Sequence, residues 1–283
     1  MRTRANYIRR IEIEGLWNKY NIAWNLRPDV NILSGVNGVG KTTILNRSVT
    51  FLDNISGEAT NGVIDGVHLD FDPVDATYVV YDFIRSYDRP LIQGDFTARM
   101  ADKNVKSELD WQIYLMQRRY LDYQVNIGNR MIELLAGKNE EDHIKAAAIS
   151  KPKQIFQDSI DELFSYTNKK IARKRNDIAF YQNDELLLPF KLSSGEKQML
   201  LILLTALVED NQHCVLFMDE PEASLHIEWQ QKLIGKIREL NSNAQIILTT
   251  HSPAVIMEGW VDKVTEVEDI TTNFKSIKPC RAD

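Results

Sequence analysis

The sequence predicts an α/β fold: a mixed sheet flanked by helices, an antiparallel hairpin near the N-terminus, and an inserted helical lobe. Short apolar runs at residues 30–33, 215–218 and 245–249 support the sheet, because such runs are typical of strands buried on both faces. A longer apolar run, residues 199–208, predicts a buried helix.

The first of these strands leads directly into a phosphate-binding motif. Residues 35–42 read Gly-Val-Asn-Gly-Val-Gly-Lys-Thr and fit G-x-x-x-x-G-K-[ST], the P-loop pattern. Its glycines let backbone N–H groups surround an anion, and the helix that follows adds its positive end. Lys41 is expected to reach the β- and γ-phosphates and Thr42 to ligate Mg²⁺. The predicted ATP-binding residues here are Gly35, Asn37, Gly38, Val39, Gly40, Lys41, Thr42 and Thr43.

The second strand ends in two acids, Asp219 and Glu220. A carboxylate at the end of a buried strand, in a chain with a P-loop, is expected to hold Mg²⁺. Consecutive residues of a strand point to opposite sides, so Glu220 should face an attacking water. We therefore predict Asp219 as a metal ligand, with Thr42, and Glu220 as the general base, with Lys41 as a further catalytic residue.

Residues 192–198, Leu-Ser-Ser-Gly-Glu-Lys-Gln, resemble the signature motif of the ABC ATPase superfamily. Ser193 with Glu196 three residues on also fits a capping box that opens the apolar helix, and a capped helix N-terminus beside a glycine is an anion site. The resemblance implies that Ser193, Ser194, Gly195 and Glu196 meet the nucleotide held by the P-loop of a second subunit.

Two further segments follow in the family's order. Residues 222–226 stand where ABC ATPases carry the D-loop, and residues 245–253 end a strand in His251, which resembles the switch histidine and is the third predicted catalytic residue. The sequences of residues 219–226 and 249–253 are similar to the SMC-like and OLD (overcoming lysogenisation defect) branch, and residues 8–17 and 20–24 resemble the opening hairpin of that branch. That resemblance covers residues 7–50 and 186–256. Gln93 lies at a plausible distance for the Q-loop ligand of Mg²⁺, and an ordinary polar loop residue is an equally open interpretation.

The predicted domain organisation is an ATPase core, residues 1–94 and 177–283, with an inserted helical lobe, residues 95–176. The lobe is assigned from a heptad-like seam of apolar residues at alternating spacings of four and three. These residues are Leu109, Ile113, Met116, Tyr120, Tyr123 and Ile127. The seam predicts packing within the lobe; the arm of SMC proteins, inserted at the same place, is far longer.

Composition limits the classes of partner. The net charge of −6 gives no global basic field for nucleic acid, so DNA or RNA binding would need a local patch such as residues 169–175. The two cysteines, Cys214 and Cys280, show no metal or disulfide spacing. There is no run of 18 apolar residues and no secretory pattern near Met1, so we expect a cytoplasmic protein with no membrane partner.

The resemblance implies Mg-dependent ATP binding and hydrolysis that drives head-to-head dimerisation of two identical chains. In the OLD-like branch, stand-alone ATPases act beside a separate effector, such as a nuclease or toxin, in bacterial phage defence. The alternative is an SMC-like DNA-repair or recombination ATPase that grips DNA itself. A transporter nucleotide-binding subunit fits the signature wording and the opening hairpin less well.

Overall fold

The computed structural model describes residues 2–57, 66–86, 104–137 and 140–273. Gln93 and Cys280 lie outside these residues. The chain divides into two compact units. The first comprises Met1–Phe83, His213–Glu220 and Asn243–Asp283, and the second comprises Ile84–Gln212 and Pro221–Ser242.

These units group the chain differently from the predicted core and lobe. Residues 177–212 and 221–242, which sequence motifs assign to the core, lie in the compact unit that also holds the helices of the predicted lobe. The predicted division follows family motifs, whereas the units follow packing. The division into an ATPase core and an inserted lobe therefore stays a prediction.

An antiparallel sheet forms one part of the first unit. Its strands are β1 (Tyr7–Leu16), β2 (Tyr20–Asn25), β4 (Val67–Asp72) and β12 (Thr271–Asn273). They lie in the order β12-β2-β1-β4. β1 and β2 form the predicted hairpin, in which Ile11 lies opposite Trp24 and Ile13 opposite Ile22. All four side chains are buried, because alternate residues of a strand face the same side.

A second sheet contains the three strands predicted from the apolar runs, which are β3 (Val30–Ser34), β9 (Cys214–Asp219) and β10 (Ala244–Thr249). It also contains β5 (Tyr81–Arg85) and β11 (Val264–Glu266). The order is β11-β3-β10-β9-β5. β3, β9, β10 and β11 are parallel to their neighbours among these four. Their carboxyl ends therefore share one edge of the sheet, which is where ligands bind in open α/β sheets.

Helix α1 (Lys41–Gly57) packs into the hydrophobic core of the first unit. It contributes Ile44, Leu45 and Leu52, which are almost fully buried together with Ile11 and Phe217. Complete burial of a side chain of this size stabilises the fold by about 1.5–3 kcal/mol. The short helix α6 (Pro253–Met257) also belongs to this unit.

The second unit is mainly helical. Its helices are α2 (Glu108–Ala136), α3 (Glu140–Leu163), α4 (Ser194–Val208) and α5 (Ile227–Leu240). The six residues of the predicted seam all lie buried on α2, which packs on α3 and α4. The seam residues are therefore buried by packing within the second unit, on a helix of the predicted lobe and on α4, which lies outside it. The strands β6 (Lys169–Ile171), β7 (Phe180–Gln182) and β8 (Glu185–Leu187) form an antiparallel sheet that precedes α4.

Membrane spanning was tested on the described part of the chain. None of its helices combines the length and the hydrophobicity needed to cross a bilayer.

Candidate nucleotide-binding site

The P-loop connects β3 to α1, as its strand–loop–helix pattern predicts. Gly35, Gly38 and Gly40 all have positive φ angles. At Gly40 the requirement for glycine is twofold. Its φ is +108°, and an added Cβ would lie 2.7 Å from the Trp17 ring. Only glycine combines this backbone conformation with such a close approach.

Lys41 is the first residue of α1 and is buried. Its ammonium donates to the carbonyl oxygens of Gly35 (2.9 Å) and Val36 (3.3 Å), so it is folded back over the P-loop. The same nitrogen lies 2.7 Å from His251 Nε2. The predicted phosphate-binding cation and the predicted switch histidine are therefore in contact.

Thr42 and Asp219 meet at the carboxyl edge of the sheet. The Thr42 hydroxyl donates to Asp219 Oδ1 at 3.0 Å, across 177 residues of sequence. Asp219 ends β9 and is buried. Two oxygen atoms of the type that Mg²⁺ prefers thus lie side by side.

Glu220 leaves the strand in a left-handed conformation, with φ of +47°. For a residue other than glycine this conformation costs about 1–3 kcal/mol and persists where the surroundings impose it, often at functional sites. Its carboxylate Oε1 lies 2.9 Å from His251 Nε2. Asp219 and Glu220 therefore contact different partners, and their roles as metal ligand and general base stay predictions.

His251 contacts both Lys41 and Glu220 through the same ring nitrogen. One nitrogen cannot accept a hydrogen bond from Lys41 and donate one to Glu220 at the same time. The proton on Nε2 therefore decides which of the two residues His251 bonds.

No sequence motif predicts Thr249 as a site residue, yet it lies at the centre of the site. Its hydroxyl donates to Asp219 Oδ1 at 2.7 Å and accepts the backbone N–H of Glu220 at 3.0 Å. The sequence signal for it is weak, since buried threonines at strand ends are common.

Trp17 is a second residue that the motifs do not predict. It lies at the β1–β2 turn, 47% exposed, and its ring approaches Gly40. Together with Tyr20, Gly38 and Val39 it lines a cavity of about 610 Å³, which residues 267–268 and 271–273 also line. Such volumes suit small-molecule ligands.

The signature segment lies in the second unit. Ser193 caps α4, and the capping box with Glu196 is complete, which confirms the predicted pattern. Burial raises the pKa of the Glu196 carboxyl, but hydrogen bonds from Lys169, the Ser193 N–H and Thr167 outweigh it and leave the pKa below its ordinary value. The charged carboxylate therefore holds the start of α4 to β6, with 2.8 Å to Lys169 Nζ.

Gly195 packs directly against the predicted D-loop. A Cβ on Gly195 would lie 2.4 Å from the backbone oxygen of Ser224. This contact shows why the residue beside Ser194 is glycine, a requirement that the motif alone does not explain.

Three cations of the basic run 169–175 are paired within the second unit. Lys169 bonds Glu196, Arg173 contacts Asp158 and Asp161, and Arg175 contacts Asp177. The nitrogen–oxygen distance is 2.5 Å for Arg173 and Asp161 and 2.8 Å for each of the other three pairs. Internal pairing reduces the charge that the run can offer to phosphates.

The fold and the loop between β3 and α1 together define a P-loop protein of the α/β class. The chain belongs to the family described as "AAA domain, putative AbiEii toxin, Type IV TA system", whose model matches residues 48–258, well over half of the chain.

Two curated relatives carry the names of a retron and of Septu. The chain is 27% identical to the "Retron Vc95 probable ATPase" of Vibrio cholerae serotype O1 biovar El Tor, over 63% of this chain and 36% of that protein. It is 24% identical to the "Septu protein PtuA" of Bacillus thuringiensis, over 91% of this chain and 74% of that protein. The chain thus spans about a third of the retron ATPase.

Among solved structures, an SMC head bound to the C-winged helix domain of ScpA has a similar fold. The TM-score is 0.53 at 13% identity, covering 89% of this chain and 91% of that one. The resemblance to SMC heads is therefore confirmed at the level of fold.

Proposed function

We propose that two copies of this chain hydrolyse Mg-ATP in shared sites, and that the chain is the ATPase subunit of a defence system with a separate effector. The observation that supports this most is the cluster at the carboxyl edge of the second sheet. There Thr42 contacts Asp219, and His251 contacts Lys41 and Glu220. These are the groups that phosphoryl transfer needs for charge neutralisation and water activation.

The residues present fit a magnesium ion. The Thr42 hydroxyl and the Asp219 carboxylate are 3.0 Å apart and both offer oxygen. The described residues contain no cluster of three or more His, Cys, Asp or Glu side chains that would form a complete metal cage. Mg²⁺ commonly completes its shell with water and substrate phosphates. When bound it would neutralise charge on the phosphates.

The chemistry follows from the positions of the side chains. Lys41 would exchange its bonds to the P-loop carbonyls for the β- and γ-phosphate oxygens. Glu220 would take a proton from water, whose oxygen attacks the γ-phosphorus as the bond to the β-phosphate oxygen breaks. ADP and inorganic phosphate are the products. His251, next to both residues, would sense whether the γ-phosphate is present.

We propose that the base of ATP lies in the cavity beside the P-loop, against Trp17. Stacking of a base on an aromatic ring is worth about 1–3 kcal/mol. Trp17→Ala is therefore expected to raise the KM for ATP by about tenfold, with kcat changed much less. Steady-state kinetics measure this, and Trp17→Phe, which keeps an aromatic face, should stay within about threefold of the wild type. An unchanged KM in Trp17→Ala would place the base elsewhere.

The signature segment is proposed to complete the site of a second copy. Ser194 and Gly195 begin a 15-residue helix whose N-terminus carries a complete capping box. Backbone N–H groups at such an end bind anions. The resemblance to ABC ATPases implies that this anion is the γ-phosphate of the ATP bound to the other copy.

ATP-dependent association tests the shared site. The Glu220→Gln variant is expected to double its mass in solution when Mg-ATP is added, because it should bind ATP without hydrolysing it. Light scattering after size-exclusion chromatography measures the mass, with the Lys41→Ala, Glu220→Gln double variant as the control that should stay unchanged. The same measurement with short duplex DNA tests the DNA-repair alternative. That alternative requires that DNA stabilise the dimer.

The defence role is supported by the names of the relatives. The curated matches include retron ATPases and the Septu protein PtuA, and the family description refers to a toxin–antitoxin system. We propose that the effector is a separately encoded nuclease or toxin. We also propose that the chain belongs to the OLD-like branch of these ATPases.

Phage plating tests this role. Cells that express the chain with its neighbouring genes should plate phage less efficiently than cells with the Glu220→Gln variant. Equal plating over a panel of phages would contradict the defence role and leave the ATPase activity unaffected.

A further inference from the structure

We propose that Thr249 is a positioning residue for ATP hydrolysis, because its buried hydroxyl joins Asp219 to Glu220. The inference rests on the proposed function, in which Asp219 ligates Mg²⁺ and Glu220 is the general base. It assigns the residue that holds these two neighbours in their different orientations.

The pairing of two strands brings Thr249 to this position. β10 runs parallel to β9, with Thr249 opposite Asp219 in the register. Thr249 is fully buried. Its hydroxyl donates to Asp219 Oδ1 at 2.7 Å and accepts the Glu220 N–H at 3.0 Å. A hydroxyl has one proton and two lone pairs, so both bonds form together.

The bond to Asp219 fixes the carboxylate independently of the P-loop. Asp219 Oδ1 also accepts the Thr42 hydroxyl, at 3.0 Å. In the proposed function Thr42 turns to Mg²⁺, whereas Thr249 has no such second task. Thr249 is therefore the donor that keeps the Asp219 carboxylate in place when the nucleotide binds.

The bonds to Glu220 fix the backbone of the general base. The Glu220 N–H donates to two oxygens of Thr249, the hydroxyl at 3.0 Å and the backbone carbonyl at 3.2 Å. Glu220 needs such support because its φ is +47°, a conformation that persists only when neighbouring groups impose it. Without the hydroxyl, the Glu220 backbone loses one of these two hydrogen bonds, and the position of its carboxylate is less constrained.

Thr249→Val removes the hydroxyl and keeps the branched shape. We expect kcat for ATP hydrolysis to fall about ten- to a hundredfold, since a lost hydrogen bond at a buried site changes rates by this much. The dissociation constant of a fluorescent ATP analogue should change by less than about threefold, because Lys41 and the P-loop are untouched. Thr249→Ser keeps the hydroxyl and should retain kcat within about threefold of the wild type.

Thr205→Val is the matched control. Thr205 is also a fully buried threonine, and its hydroxyl donates to the Leu201 carbonyl oxygen within α4 at 2.8 Å. The same substitution there should leave kcat unchanged. If Thr249→Val does not fold, Thr249→Ala carries the same comparison with Thr249→Ser.

Three results would overturn the inference. They are a kcat of Thr249→Val within about twofold of the wild type, equal losses in the Val and Ser variants, and a loss of nucleotide affinity that matches the loss of kcat. Failure of the proposed function looks different, because Glu220→Gln would then hydrolyse ATP as fast as the wild type.

Discussion

Glu220→Gln is expected to lower kcat for ATP hydrolysis by about 10²- to 10⁴-fold, the usual contribution of a general base. Glutamine keeps the size of the side chain beside His251, where the carboxylate oxygen lies 2.9 Å from Nε2, but cannot take a proton from water. Binding of a fluorescent ATP analogue should persist, because Lys41 and Thr42 are unchanged. Phosphate release measures the turnover.

Glu258→Gln is the control for this variant. Glu258 lies in the same unit just after α6 and is exposed, so the loss of its charge should leave kcat unchanged. Turnover of Glu220→Gln equal to the wild type would remove Glu220 from its catalytic assignment and favour a nucleotide-gated scaffold.

Gly195→Ala is expected to lower turnover by about a hundredfold while ATP binding to the P-loop persists. The new Cβ would lie 2.4 Å from the Ser224 backbone oxygen, and a backbone atom cannot rotate away as a flexible side chain would. Either the start of α4 or the D-loop must therefore shift. Displacements near 1 Å in a site that positions reacting groups cost about 10²-fold in rate.

Gly128→Ala is the matched control. Gly128 lies within α2, and an added Cβ there meets no atom within 4 Å. Alanine is the better helix former by about 1 kcal/mol, so this variant should be slightly more stable and fully active. If Gly195→Ala were as active as Gly128→Ala, the signature segment would have no role in the reaction.

The local parts of the fold and site were predictable because their causes lie within a few residues of sequence. The P-loop needs its glycines and Lys41 at fixed spacing, and the cap of α4 needs Ser193 and Glu196 three residues apart. Continuous apolar runs likewise predict β9 and β10, since both strands are buried along their whole length.

The remaining features depend on contacts between distant segments, which no spacing encodes. Trp17 reaches Gly40 from the hairpin turn, and Thr249 reaches Asp219 through strand pairing. Charge pairing had the same limitation. The run 169–175 appears strongly basic in sequence, but Arg173 is matched by acids of α3 that only the fold brings near.

A mixing experiment tests the shared site most directly. Lys41→Ala removes the P-loop cation from one set of chains, and Gly195→Ala disrupts the signature in the other. Each variant alone should be nearly inactive. In a mixed dimer, the intact P-loop of one chain meets the intact signature of the other. ATPase activity of the mixture should therefore rise several-fold above the sum of the two separate variants, since each mixed dimer has one complete site. Activity no higher than that of the separate variants would contradict a site built from two copies.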